Sequence, residues 1–376
     1  MGKFILSKQE NSLERVLEEY SRFVNNNREV IPQIFRLSLY NDEPKIFSYV
    51  ANYKTDFKDS EHVASGFSFN KKVALIRVLG EALERYCLDN YKPNPLYIDS
   101  LKNIKSPYLD PLSFSTFSQN QLQKTSFRKF KIDKDTKFNW IKGISLTTKE
   151  TMLVPDQLVV MNSQSYIEKW ILNPISTGAA SGLDLDSALY RGICEIVERD
   201  AFLISYLNKL PSPKIDLLSI SNKKIKEILK IFERYNLELI VLDITTDLGI
   251  PVYAAITLDK TGLGPAVSVG LKAGIEVEQG IAGAIEESLM TRSWIRDKFI
   301  YNDPNYKRKN QISDLTDRAH FWFPLNSIKY LDFWLKNNKV KKIKKIKLPG
   351  DKLSSVVQLL KQKKWKSYML ILAIIS

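Results

Sequence analysis

Thiols are scarce in this 376-residue chain: only Cys87 and Cys194 occur. That excludes a disulfide framework and a thiolate zinc set. Each cysteine falls in a helical pattern beside glutamates, where a buried thiol acts as a small hydrophobe. Two histidines, His62 and His320, give little support to a metalloprotease or a catalytic triad. The phosphate-loop pattern G-x-x-x-x-G-K-[ST] does not occur. GLGPAV at 262–267 mimics a dinucleotide fingerprint, but Pro265 stands where a helix N-terminus needs free amides. The longest apolar run, the terminal YMLILAIIS, is far below the roughly 18 residues of a membrane helix. No charged-then-apolar segment with a cleavage site opens the chain. A cytoplasmic protein without a membrane partner is expected.

Negative charge is scarce near the end. Residues 321–376 hold 13 lysines and no arginine against Asp332 and Asp351, so most of the net charge of +14 lies there. Such a tail can neutralise phosphates. No nucleic-acid motif accompanies it, so a solvated lysine face is preferred and nucleic acid is not an expected partner.

What is present reads as a mixture of helices and strands without strict alternation, hence α+β. Residues 1–25 form a helix with Leu13, Val16, Leu17 and Tyr20 near one face. IPQIFRLSLY and KIFSYVANY read as two strands around a turn at Asn41–Pro44. Residues 92–135 read as a surface excursion, and NWIKGISLTTKETMLVPDQLVVM as a hairpin. LELIVLDITTDLGIPVYAAITLD gives two central strands. GIEVEQGIAGAIEESLMTRSWIRD and KLSSVVQLLKQKKW are helices, and a strand-like run ends the chain.

Two segments read as copies. ASGFSFNKKVALIRVLGEALERYC spans 64–87, and ASGLDLDSALYRGICEIVERDAF spans 180–202. Glu81, Glu84 and Arg85 recur 114 residues later as Glu195, Glu198 and Arg199. The Ala-Ser-Gly triplets are offset by 116, and each reads as a turn before its helix. Residues i and i+3 share a helix face. Glu81 and Glu84 therefore project together, as do Glu195 and Glu198. If the helices meet, four carboxylates converge and demand a cation. Mg²⁺ suits carboxylate oxygen and bridges to phosphates, and arginine offers phosphate a planar fork. The bland alternative has equal weight: Glu81–Arg85 and Glu195–Arg199 are i,i+4 pairs of the kind any exposed helix carries.

These blocks, with DITTDLGIPVYAA, AIEESLMTRSWIR and the hairpin WIKGISLTT…VPDQLVV, resemble the YcaO family over roughly residues 60–300. The likeness is nearest to its SagD-like, azoline-forming group. It implies an α+β fold with the duplicated helices around an ATP site that lacks a P-loop. By position it makes Glu81, Glu84, Glu195 and Glu198 the holders of Mg²⁺ and nucleotide, with Arg85, Arg199, Glu287 and Arg292 completing the nucleotide site. No catalytic residue is assigned. The implied activity is ATP-dependent cyclodehydration of Cys, Ser or Thr in a ribosomally made precursor peptide, as in thiazole/oxazole bacteriocin maturation. Thioamide formation is the alternative, and so is a non-catalytic ATP-binding subunit. The implied partners are the precursor peptide, a leader-peptide-binding protein and a second copy of the chain. Residues 1–60 are expected as a helix-and-hairpin segment and 61–376 as the ATP-binding domain.

Three departures from the pattern stand out. Ser187 replaces a family glutamate, and Asp184 or Asp186 either substitutes for it or, the preferred reading, caps the helix. Met290 stands where glutamine is frequent. The proline-rich tail of azoline-forming relatives is absent after Ser376, so the domain is expected to be cut short.

Overall fold

A computed structural model of the chain describes residues 8–55, 62–91, 97–114, 117–161, 169–301, 312–343, 350–363 and 368–369. It begins with α1 (Lys8–Asn26), followed by β1 (Gln33–Arg36), β2 (Phe47–Asn52) and β3 (Val63–Ser68). The three strands form an antiparallel sheet in the order β1-β2-β3. Across it lies α2 (Lys71–Asn90), the first motif helix, started by the Asn70 side chain accepting from the Lys72 and Val73 amides. Val16, Leu17 and Tyr20 of α1 pack against the same core as expected. One residue differs from the expected pattern: Gly66 lies inside β3, not in a turn. A Cβ there would fall 2.3 Å from the Ala74 carbonyl oxygen, so glycine lets α2 press onto the strand.

The next portion contains β4 (Tyr97–Ser100), the short α3 (Gln119–Leu122), β5 (Lys137–Ser145) and β6 (Thr151–Pro155). β5 and β6 are the expected hairpin, turned at Lys149, whose φ is +66°. β4 pairs with β5, so the stretch expected as a surface excursion contributes a strand. Its apolar residues are too few for a visible period; Trp140 and Phe138 of β5 supply the core it packs on.

The second motif helix, α4 (Leu185–Leu207), starts at Asp184, whose carboxylate accepts from the Ser187 amide at 2.7 Å. Then follow β7 (Lys214–Ile215), α5 (Lys223–Arg234), β8 (Glu238–Asp243), β9 (Val252–Leu258), β10 (Val267–Ala273) and α6 (Val277–Tyr301). The chain continues through α7 (Leu315–Trp322), α8 (Asp332–Leu335), β11 (Val340–Lys341), α9 (Lys352–Gln362) and β12 (Tyr368–Met369). β12 pairs antiparallel with β5; the rest of the terminal apolar run lies outside the described residues.

The central sheet runs β10-β9-β8-β7-β11. Its β8 and β9 are apolar on both faces because both faces are covered. Leu242, Ala254 and Ile256 pack with Val197 and Ala201 of α4, while Val241 and Ala255 pack with α5 and α6. Neither α5 nor β10 was expected from the sequence. β10 follows a Gly-Pro-rich turn, and its alternation is interrupted by Gly270 and Lys272. The arrangement is α+β, as expected. No helix among the described residues is long and apolar enough to cross a membrane.

Candidate active site

The glutamates of the two motif helices come within electrostatic reach of one another. Burial pushes the Glu84 carboxyl on α2 up to about 8, and the charge of Glu195 on α4 adds to the rise. Glu198, on the next turn of α4, is 6% exposed and is likewise raised by burial, against the pull of Lys272. Glu287 on α6 rises to about 7 through burial and the charge of Glu198. Glu84, Glu195, Glu198 and Glu287 therefore form a chain of mutually repelling carboxylates from three helices. Glu81 begins it, one turn before Glu84.

Four of the five are tied down by one backbone amide each. Ser65 of β3 donates to Glu81 at 3.0 Å. The Ser181 amide faces Glu84 and favours its charged form. Gly178 donates to Glu195 at 3.2 Å, Ala273 to Glu198 at 2.8 Å, and Leu271 to Glu287 at 2.9 Å. The two Ala-Ser-Gly triplets thus act alike, since their serine amides face the acid pair of α2. Gly182 and its neighbours form a loop, unlike the strand around Gly66.

The last two amides have a topological cause. β10 is the edge of the central sheet, and its even-numbered residues bond to β9, as Ala266 does to Asp259. The Leu271 and Ala273 amides therefore point off the edge, where glutamates from α6 and α4 accept them. Gly270 makes this approach fit: a Cβ there would sit 2.2 Å from the Ala284 carbonyl and the Ser288 amide of α6. No sequence pattern marks such amides, and β10 itself lacks a clear strand pattern.

Positive charge at the cluster is sparse. Arg85 lies 3.6 Å from Glu81, Arg199 lies 3.2 Å from Glu195, and Lys272 lies 3.9 Å from Glu198. Among the described residues, five carboxylates thus face three cations, of which Arg199 and Lys272 are more than half exposed. Among the described residues, Oε1 of Glu198 and Oε1 of Glu287 accept no hydrogen bond. Such a set fits a hard divalent cation by its chemistry. Among the described residues no three Asp, Glu, His or Cys side chains converge tightly enough to enclose an ion by themselves. That suits Mg²⁺, which uses one or two carboxylates and takes its remaining ligands from water and phosphate.

Arg292 is bound into a network of its own. It is 3% exposed, with Nε 2.7 Å from Glu43, Nη2 2.7 Å from Asp259 and Nη1 2.9 Å from the Pro265 carbonyl. All three guanidinium nitrogens are engaged by protein. Asp259 is held below its ordinary range: burial opposes ionisation, but Thr261 and Arg292 outweigh it. Arg296 extends this network to Asp42 and Glu43. The family likeness assigned Arg292 to the nucleotide; its carboxylate partners, Glu43 and Asp259, stand 249 and 33 residues away in the chain. Asp184 caps α4. His320 and His62 are engaged structurally, with the Lys298 carbonyl and with Asp89. Burial raises both thiols to about 11, which suits small hydrophobes and not nucleophiles.

A family model described as YcaO cyclodehydratase, ATP- and Mg²⁺-binding, matches residues 65–373. The chain belongs to the YcaO family. This YcaO chain is similar in structure to a heterocyclase described in complex with substrate and cofactor, at TM-score 0.78 and 20% identity over 96% of this chain and 50% of that one. It is also similar to YcaO from Methanopyrus kandleri, described as bound with AMPPCP and Mg²⁺, at TM-score 0.68 and 15% identity over 97% of this chain and 87% of that one. In sequence, an uncharacterized protein in the tfuA 3′ region of Rhizobium leguminosarum bv. trifolii is 30% identical over 122 residues. That match covers 32% of this chain and 29% of the relative. The YcaO chain thus spans half the heterocyclase's length and less than a third of the relative's.

Proposed function

We propose that this chain is an ATP-dependent cyclodehydratase that forms thiazoline or oxazoline rings in a ribosomally made peptide. The observation that carries the reading is the row of five carboxylates, four of them amide-anchored, with too few cations, in a chain of the YcaO family. In this reading Glu81, Glu84, Glu195, Glu198 and Glu287 hold Mg²⁺ and the triphosphate, with Arg85 and Arg199 on phosphate oxygens. Arg292 supports the fold behind them. Residues 1–60 brace α2, and residues 61–376 form the nucleotide-binding part. A precursor peptide and a leader-binding protein complete the system.

The peptide's Cys, Ser or Thr side chain adds to its preceding carbonyl carbon and gives up its proton. The carbonyl oxygen, now anionic, takes the γ-phosphoryl group of ATP, and ADP leaves. The C–O bond then breaks, phosphate departs, and loss of the amide proton closes the C=N bond of the ring. Bound Mg²⁺ supplies charge neutralisation for the phosphoryl oxygens. The chain's own contribution is placement. Backbone amides fix one oxygen of four of the carboxylates, so little reorganises when the nucleotide arrives. The raised Glu84 and Glu287 carboxyls release protons as cations enter.

The test is product mass after incubating the chain, ATP, Mg²⁺, a candidate precursor and its leader-binding partner. Loss of one water per modified residue is expected, with one ADP formed. Exchange of oxygen for sulfur would move the chain to thioamide formation. Nucleotide binding without any product would make it a non-catalytic subunit.

A further inference from the structure

Lys272 sits towards one end of the acidic row, by Glu198 and Glu287. It lies on β10 between Leu271 and Ala273, whose amides hold Glu287 and Glu198. Its side chain leaves the strand on the α6 side, where Gly283 offers no Cβ. A Cβ at Gly283 would meet Lys272 Cγ at 3.0 Å and Cδ at 3.2 Å. The missing side chain is therefore the groove in which the lysine stem lies. From that groove Nζ reaches around the sheet edge to Glu198 of α4, 3.9 Å away. The distance exceeds a direct hydrogen bond, and 52% of the side chain stays exposed. Arg292, by contrast, is locked at 2.7 Å on two sides. Lys272 is thus a cation on a flexible tether beside a buried carboxylate, neither locked nor released.

We infer that Lys272 is the site's own movable counter-ion. In the nucleotide-free chain its ammonium stands beside Glu198 and Glu287. When magnesium and nucleotide arrive, it swings from the carboxylates to a phosphate oxygen. The inference rests on the nucleotide reading above and adds a residue and a movement to it. The alternation of contacts is what a triphosphate site requires. A permanent Lys–Glu pair would compete with the metal, and an absent lysine would leave the phosphates one donor short.

The two halves predict opposite effects, which a merely structural lysine would not produce. Calorimetry on the full chain with Mg²⁺ alone and with Mg²⁺–AMPPCP separates them. Lys272→Met keeps the stem and removes the charge. It should weaken Mg²⁺–AMPPCP binding by about tenfold and strengthen binding of Mg²⁺ alone. Lys272→Arg should restore nucleotide affinity. Gly283→Val, which fills the groove, should reproduce the nucleotide loss with the lysine still present. Equal Mg²⁺–AMPPCP affinity for Lys272→Met and the unaltered chain would overturn the Lys272 role while leaving the nucleotide site standing. Parallel weakening toward both probes would also overturn it. An unaltered chain that binds no Mg²⁺–AMPPCP would overturn both readings.

Discussion

Glu286 and Glu287 are consecutive on α6, yet they live under opposite electrostatic rules. Glu286 is 1% exposed and is met by Arg77 at 2.8 Å, Lys224 at 3.0 Å and the Ser68 hydroxyl at 2.8 Å. Burial opposes its charge, but Arg77 and Lys224 outweigh it and hold the carboxyl below its ordinary range. Glu287 has an amide, a distant lysine and the repulsion of Glu198, and it rises to about 7. The same division runs through the molecule. Glu43, Asp42 and Asp259 are matched by Arg292 and Arg296. Glu84, Glu198 and Glu287 are not so matched, and Glu195 has only the half-exposed Arg199. A buried carboxylate matched by arginine holds the fold together. One left short of positive charge is stable only with something else, and that shortage distinguishes a site from a strut.

The largest effect should come from breaking the matched side. Arg292→Ala leaves buried Asp259 without its cation and Glu43 with Arg296 alone, and should cost about 3–5 kcal/mol in urea unfolding. A small loss of stability with a large loss of nucleotide binding would return Arg292 to the nucleotide site. Next is the unmatched side. Glu195→Ala should weaken Mg²⁺–AMPPCP binding about a hundredfold with the melting temperature held or raised. Unchanged affinity would remove Glu195 from the site.

How much of this contrast was legible in the sequence depends on its range. The Glu81/Glu84 and Glu195/Glu198 spacings announced two acid pairs because helix geometry is local. The strands β8 and β9 were visible as continuous apolar runs. Glu286 looked no different from Glu287, since the partners that separate them, Arg77 and Lys224, come from α2 and α5. The amides of Ser65, Gly178, Leu271 and Ala273 carry no residue signature at all. The Asp184 cap, by contrast, was readable from its place before the helix.

A third effect is smaller and has a definite sign. A carboxyl whose folded pKa is raised binds its proton more tightly in the fold than in the unfolded chain. For Glu84 that window runs from 4.5 to about 8. The folded chain holds the extra protons there, so its stability is full below the window and falls as pH rises through it. In EDTA the unfolding free energy should drop by about 2 kcal/mol between pH 5 and pH 8. Glu84→Gln should flatten the slope, and Mg²⁺–AMPPCP should abolish it. A slope of the opposite sign would show that the cluster is already neutralised. Smallest is Glu286→Gln, expected to cost about 1–2 kcal/mol near neutral pH. That cost should shrink in acid, where Glu286 itself becomes protonated, and nucleotide affinity should stay unchanged.

The most direct measurement is calorimetric titration of AMPPCP into the unaltered chain, once with Mg²⁺ and once with EDTA. A cluster short of positive charge predicts saturable binding with Mg²⁺, proton release that scales with buffer ionisation enthalpy, and no detectable binding in EDTA. Equal binding under both conditions, or none in either, would contradict it.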